Sequence, residues 1–465
     1  MKLIITVPEN SIRELEYSLE VVFQNILSVE YEVRTHGMDN LVIQSQEDDS
    51  KRIVFSLCFF KLLSGIAYSE DLTPDEVSYL DLSKYTSDYK ERMLPVFFGE
   101  ASVEVGEEVF INFDLFGTIF FMLSGLASAN NAGIDKHERE TGASTFLHRN
   151  GLISRPVVDE NVWFLLSLLK SHLNVDIKRV RQPKITLTCD VDHPFYRTGG
   201  SLSRYIKAFA SDLLIRKQPV LFLKRFANLI CSSFSCYKFD PYYTFDWYLE
   251  QLDKNKIKSS FYFICDHTYE QLDGFYDINE VSVGKLILKL HKAGHSIGVH
   301  SSYNSILGIE QIKKEKKIFQ ERTQALGINL NSYGNRQHYL RWKPYSTPDY
   351  LNEAGFEYDS TGSFADLCGF KYGTSFSFPM WSLSAKKKLK LIQKPLILME
   401  ASLLSEDYMN MGYDESVPFI KEMYETCVYY GGCFRVLWHN SHLVSQNDKR
   451  LFKYICKLSG SYEGR

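Results

Sequence analysis

From residue 184 onward the chain alternates short apolar runs with amphipathic segments, and no other feature restricts its fold as strongly. The runs ITLTCDVD (185–192), SSFYFICD (259–266), SIGVH (296–300), FEYDS (356–360), LILMEASL (396–403) and FRVLWH (434–439) have the length and composition of strands. The segments between them keep a helical period, as Phe245, Tyr248, Leu249 and Leu252 do. VGKLILKLHKAG ends at Gly294, whose missing Cβ permits a left-handed cap. A further helix is expected from Pro348, with Thr347 as its N-cap and Gly355 as its stop. Strand–helix alternation implies parallel strands joined by right-handed crossovers, so the expected class is α/β, a barrel or an open doubly wound sheet.

The first 178 residues read differently, as a smaller mixed α/β domain ending in VDENVWFLLSLLKSHL. A charged linker, Asp176 to Lys184, follows, and its Pro183 resists helix continuation. Domains at 1–178 and 184–460 are therefore expected. Hydrophobic residues make up 45% and charged residues 24%, ordinary globular values, and a net charge of -4 gives no reason to expect nucleic acid. LFGTIFFMLSGLA (115–127) is shorter than the roughly 20 residues of a membrane span and reads as a buried helix. The amino terminus is too short and lacks a cleavage site for a signal peptide. Nine cysteines without C-x-x-C spacing read as reduced thiols, and a cytoplasmic location is expected.

Between the first two candidate strands lies an insertion at about 193–243. From Ser201 to Lys238 it carries seven Lys or Arg against one acid, Asp212, interleaved with apolar residues. Helices capping the fold are the simpler reading, with peripheral contact to an anionic membrane surface as the alternative. The lysine runs KKEKK (313–317) and KKKLK (386–390) read as a solvated helix face and a polar loop.

The chemistry-bearing residues fall at the C-terminal ends of the strands, where loops of a β/α barrel converge over one mouth. Alternation puts Asp190 and Asp192 on one face, with Cα atoms about 7 Å apart, so one can bind a metal while the other acts as a general base. In HSSYN, His300 is a candidate ligand, and Asn304, four residues on, returns to its face if the segment turns helically. Arg336 beside Asp190 would keep that carboxylate ionised, and His439 could protonate a leaving amine.

These motifs together resemble the polysaccharide deacetylase superfamily, also called carbohydrate esterase family four. TCDVDHP matches its first motif, GHSIGVHSSYN its second, RQHY (336–339) its R-x-P-Y third with His338 in the proline position, and LWH (437–439) its last. The likeness spans roughly 184–445. The wording of FGTIFFMLSG and SRPVVDENV extends it to a bacterial branch found with cell-surface polysaccharide synthesis. The resemblance implies an incomplete, distorted β/α barrel and one divalent ion, zinc by expectation, on Asp192, His300 and Asn304. It also implies Asp190 as base, Arg336 as its partner and His439 as acid. Leu437 would line the acetyl-methyl pocket, with Trp438 and Tyr339 beside the saccharide. The acid that tunes His439 is Asp359 or Asp366. The implied reaction is removal of an N-acetyl group from an amino sugar of a surface polysaccharide or its lipid-linked precursor.

Asn304, where the family has a second metal histidine, raises a rival reading: a catalytically weak or inactive barrel kept for binding carbohydrate or a partner. A glycoside hydrolase using Glu400 and Asp190 is a third, but it leaves HSSYN and LWH without a task. In the first domain, His137, Glu138 and Arg139 read as a polar loop, and a scaffold or substrate-positioning role is expected for the domain.

Overall fold

The computed structural model describes residues 2–459 apart from 11, 66–67, 69–71, 130–132, 178–183, most of 197–238 and 270. Two large sheets organise it. The first uses β1 (Leu3–Pro8), β2 (Tyr31–His36), β3 (Leu41–Ser45), β4 (Arg52–Phe55), β7 (Gly99–Val105) and β8 (Glu108–Phe113) in the order β2-β1-β3-β4-β8-β7. A separate pair joins β5 (Ser78–Asp81) to β6 (Met93–Val96). Against the first sheet lies the helix Leu115–Leu123, buried at every position, as its uninterrupted apolar sequence requires. Asp114 caps it, accepting from the amide of Gly117 at 2.7 Å and from that of Phe59 at 2.9 Å. Among the described residues no helix is long and apolar enough to cross a membrane.

The second sheet contains β9 (Lys184–Val191), β10 (Ser259–Ile264), β11 (Ser296–Ser301), β12 (Gly334–Gln337), β13 (Tyr358–Asp359), β14 (Phe378–Ser382), β15 (Lys387–Gln393), β16 (Leu398–Met399) and β17 (Cys433–Leu437). Its order is β14-β15-β13-β12-β11-β10-β9-β17-β16, and every pairing except β14 with β15 is parallel. Apart from β14, that is chain order read around a ring, broken at one seam between β15 and β16. The strands also curl. On a flat sheet β9 and β12, three spacings apart, would stand roughly 14 Å from each other, yet Asp192 and His338, just past their ends, come within 3.6 Å.

The connecting segment 362–377 fills the seam. Leu396 N donates to Gly362 O at 3.1 Å and Arg435 Nη1 to Ser375 O at 3.1 Å. The helix Val157–Ser171 grips the same segment, because Asp159 accepts from the amide of Ser375 at 2.9 Å and from its hydroxyl at 2.8 Å. Helix Arg13–Glu20 meets β14: Tyr17 donates to Pro379 O at 2.7 Å, and its ring and that of Phe120 pack on Trp381. The residues before 178 thus brace the open edge of the second sheet.

Three strands escape a search for apolar runs. β12, GNRQ, has a glycine and three polar side chains yet is wholly buried, so hydrophobicity gives no sign of it. β14 is buried on both faces. The KKKLK run expected as a polar loop lies largely in β15, where Leu389 and Leu391 point inward between exposed lysines. KKEKK does fall on a helix, Ile309–Ala325. The helix expected from Pro348 runs from Thr347 to Glu353 with Ser346 as N-cap, one residue earlier than its reading. The basic residues of the insertion lie outside the described residues, as does most of the linker.

Candidate metal centre

Asp190 points from β9 and Asp192 follows its last residue, so the period of two carries both carboxylates into the mouth of the ring. His300 comes from β11 and His338 from the residue after β12. Asp192 Oδ1 lies 3.2 Å from His300 Nε2 and 3.6 Å from His338 Nε2. The ligand atoms of Asp192, His300 and His338 all fall within 4.8 Å of one another.

The other nitrogen of each imidazole is held. His300 Nδ1 donates to Arg336 O at 2.9 Å, and His338 Nδ1 donates to Asp273 Oδ1 at 2.8 Å. A carbonyl or carboxylate oxygen can only accept, so Nδ1 carries the proton in both rings. In the neutral rings the two Nε2 lone pairs therefore face a carboxylate oxygen that is buried and has no hydrogen-bond partner. Such a convergence needs positive charge between the atoms. The titration shifts point the same way. Burial would lower His300, but Asp190 and Asp192 outweigh it and raise the imidazole's pKa. Burial would raise Asp192, but His338, His300 and His439 hold it well below the carboxylate range. Two imidazoles and one carboxylate, each ring oriented by an oxygen behind it, form a donor set suited to zinc or a similar ion.

Asn304, the third ligand expected from the sequence, turns elsewhere. Its amide nitrogen donates to Thr268 O at 3.2 Å and its oxygen accepts from Arg341 Nη1 at 3.2 Å. The segment after His300 forms no helical turn that would bring position 304 back beside it: 304 is only the N-cap of the short turn Ser305–Leu307. His338 stands where Asn304 was expected. Its signal was present in the sequence, since residues 336 and 338 share one face of an extended strand.

Around this triad, Arg336 is fully buried with Nε 3.9 Å from Asp190 Oδ1, and its Nη2 donates to Thr188 Oγ1 at 3.0 Å. His439 Nε2 lies 3.6 Å from Asp192 Oδ2. Its Nδ1 donates to Glu400 Oε1 at 2.5 Å, and His442 Nδ1 donates to the same oxygen at 2.7 Å. Burial opposes charge on His439, but Glu400 overrides it and pushes the imidazole up to about 10. Glu400, His439 and His442 are also close enough to hold an ion, yet two N–H groups sharing one oxygen describe a hydrogen-bond network.

Glu400 is thus the acid on His439. Asp359 instead ties Asn335, Thr361 and Gln393 together, and Asp366 accepts from the amides of Gly142 and Ala143. Leu437 is buried in a small apolar cluster with Leu340, Leu396 and Met399. Trp438, expected beside the saccharide, faces the opposite way. It is fully buried in the main core with its ring 5.7 Å from Phe452, because alternation places it on the other face from Leu437 and His439. Tyr339 is half-buried at the mouth, its ring 4.7 Å from His137 and 5.4 Å from Tyr303. Tyr339 and Leu340 have φ of 60° and 56°, two consecutive left-handed residues that are not glycine. The His137–Arg139 cluster is no free polar loop, for it docks on this turn.

Comparison with known proteins gives a family first and individual structures second. Residues 3–174 match the model of a family of unknown function, DUF7033. Among solved structures, the chain is similar to one described as a polysaccharide deacetylase from Mycobacterium smegmatis, at 16% identity and TM-score 0.38, covering 61% of this chain and 86% of that one. It is also similar to Puue allantoinase, at 14% identity and TM-score 0.37, with the same two coverages. No curated protein matches the chain.

Proposed function

We propose that this chain is a metal-dependent hydrolase that removes an N-acetyl group from an amino sugar of a bacterial surface polysaccharide or its lipid-linked precursor. The observation that carries the reading is the meeting of Asp192, His300 and His338 within 4.8 Å, between a buried carboxylate and a charged imidazole. The motif resemblance supplies the substrate class.

A divalent ion held by those three residues would supply Lewis-acid polarisation of the acyl oxygen and acidify the attacking water. Asp190 accepts the water's proton at its carboxylate. Arg336 Nε stands 3.9 Å and His300 Nε2 3.7 Å from that carboxylate. His439, kept protonated by Glu400, delivers a proton from Nε2 to the departing nitrogen as the C–N bond breaks. The apolar cluster of Leu437 with Leu340, Leu396 and Met399 supports an apolar acyl group over a charged one, whose burial would be costly. Acetate and a free amine result, and water supplies the balance of atoms.

Elemental analysis of the purified chain tests the reading. About one equivalent of zinc or a similar ion is expected, lost in His300→Ala and in His338→Ala but kept in Asn304→Ala. Asp190→Asn should bind the ion and fail to hydrolyse acetylated saccharides. No ion in the wild type, even after reconstitution, would turn the reading to a barrel that binds carbohydrate without cleaving it. Hydrolysis left intact in Asp190→Asn would remove that residue as the base.

A further inference from the structure

The turn that delivers His338 to Asp192 is an unfavourable one. Tyr339 and Leu340 both adopt a left-handed backbone that side-chain-bearing residues rarely take, and such a pair persists only where its surroundings hold it. The restraint comes from a distant part of the sequence. Arg139 Nη1 donates to Tyr339 O at 2.9 Å. The rest of that guanidinium is fixed by Asp135, with Nε to Oδ2 at 2.7 Å, and by the Tyr408 hydroxyl at 2.9 Å. In the opposite direction Arg341 Nε donates to His137 O at 2.9 Å, and its Nη2 pairs with Glu138 at 2.8 Å. Its Nη1 donates to Tyr303 O at 2.7 Å and to the oxygen of Asn304. Two arginines, each reaching into the other's loop, lock the His137–Arg139 and Tyr339–Arg341 segments together. Both are almost fully buried.

The loop is anchored on either side of this lock. Asp135 accepts from the amides of His137 and Arg139, which rounds the loop into a tight turn. Lys371 pairs with Glu140 at 2.8 Å, and Asp366 holds the amides of Gly142 and Ala143. The loop is therefore bound to the second sheet's connections at several points, with Arg139 aimed at the residue next to a candidate ligand.

We infer that the loop 135–141 is a built-in part of the metal centre, with Arg139 as the positioning residue that fixes the His338 turn. This rests on the metal-centre reading given above. Arg139 touches neither ion nor substrate; it holds the peptide of Tyr339, and through it the direction of the His338 ring. Asn304, absent from the ligand set, acts in this lock as an acceptor for Arg341.

The test uses the full chain, with zinc affinity measured by chelator competition and the cobalt(II)-substituted protein followed by visible absorption. Arg139→Gln removes the clamp, and Arg139→Lys keeps the charge and a single donor. Arg92→Gln, which breaks an exposed arginine pair with Asp81 away from the turn, is the control. Zinc affinity is expected to fall about 10-fold in the Lys variant and up to about 100-fold in the Gln variant, the scale seen when groups that orient ligands are removed. The cobalt(II) bands should change with them, while Arg92→Gln retains wild-type affinity and spectrum. Where Arg139→Gln fails to fold, the Lys variant decides. Wild-type affinity and spectrum in the Arg139 variants would overturn the clamp and leave the metal centre standing. A wild type that binds neither ion would overturn the metal centre, and the clamp with it.

Discussion

At the scale of single residues, the site turns on which atoms are already committed. His338 reaches the carboxylate of Asp192 from the strand next to that of His300, with Asp273 behind it. Glu400, the first residue of the short helix after β16, holds His439 in the same way. Glu400→Gln removes the charge that keeps His439 protonated, so burial then drives its pKa down from about 10. Deprotonation of a general acid ends activity as pH rises, so the alkaline limb of the rate profile should move to lower pH. Between the new limb and the old one, where the variant's His439 has lost its proton, the rate should fall by about 100-fold. An alkaline limb that stays in place would show that Glu400 does not tune His439. Asp190, Asp192, His300 and His439 stood out in the sequence because each closes or adjoins an apolar run, and Arg336 only through its RQHY motif; the structure brings all five to one mouth. His338 and Glu400 were harder to see: one sits where a proline was expected, and the other lies in a short helix just beyond a two-residue strand.

Elements show why the rest was hidden. Apolar runs revealed β9, β10, β11 and β17, whereas β12 is a glycine and three buried polar residues and β15 is disguised by lysine. Helix Ile309–Ala325 carries a similar surprise, since Glu315, inside its lysine run, is completely buried. It accepts from the amide of Ser302 at 3.0 Å and from Gln311 at 2.8 Å. It thereby pins the loop that follows His300. Burial raises Glu315 from 4.5 to about 7. A raised folded-state pKa gives stability that is complete below the unfolded value and is lost as pH climbs through the folded one. The stability of the wild type relative to Glu315→Gln should therefore fall by about 3 kcal/mol between about pH 4.5 and pH 7, at about 1.4 kcal/mol per unit. Urea unfolding of both proteins at a series of pH values reads this directly. A constant difference would mean that Glu315 titrates like an exposed carboxylate.

For the whole molecule, the sequence separated two regions at about 178 but gave no hint of how tightly they interlock. The contacts are made by side chains far apart in the chain: Tyr17 with Pro379, Arg139 with Tyr339, Asp159 with Ser375. No local pattern records such pairings. Residues 184–465 expressed alone would expose Trp381 and the free side of β14, an unpaired apolar edge that invites self-association. That fragment should be recovered mainly as aggregate, and light scattering against the full chain measures it. A monomeric fragment with a cooperative melt would show the second sheet to be self-sufficient.

The seam between β15 and β16 also bears on dimensions. A closed barrel sets its own radius through strand number and stagger; a ring with a gap has no such gauge. Something outside the strands must decide how far they curl and how close opposite rims of the mouth approach. Here the connection through Ser375 and the helices pressed on it take that part. They act as the hoop on a cask, which adds no stave but determines how tightly the staves stand.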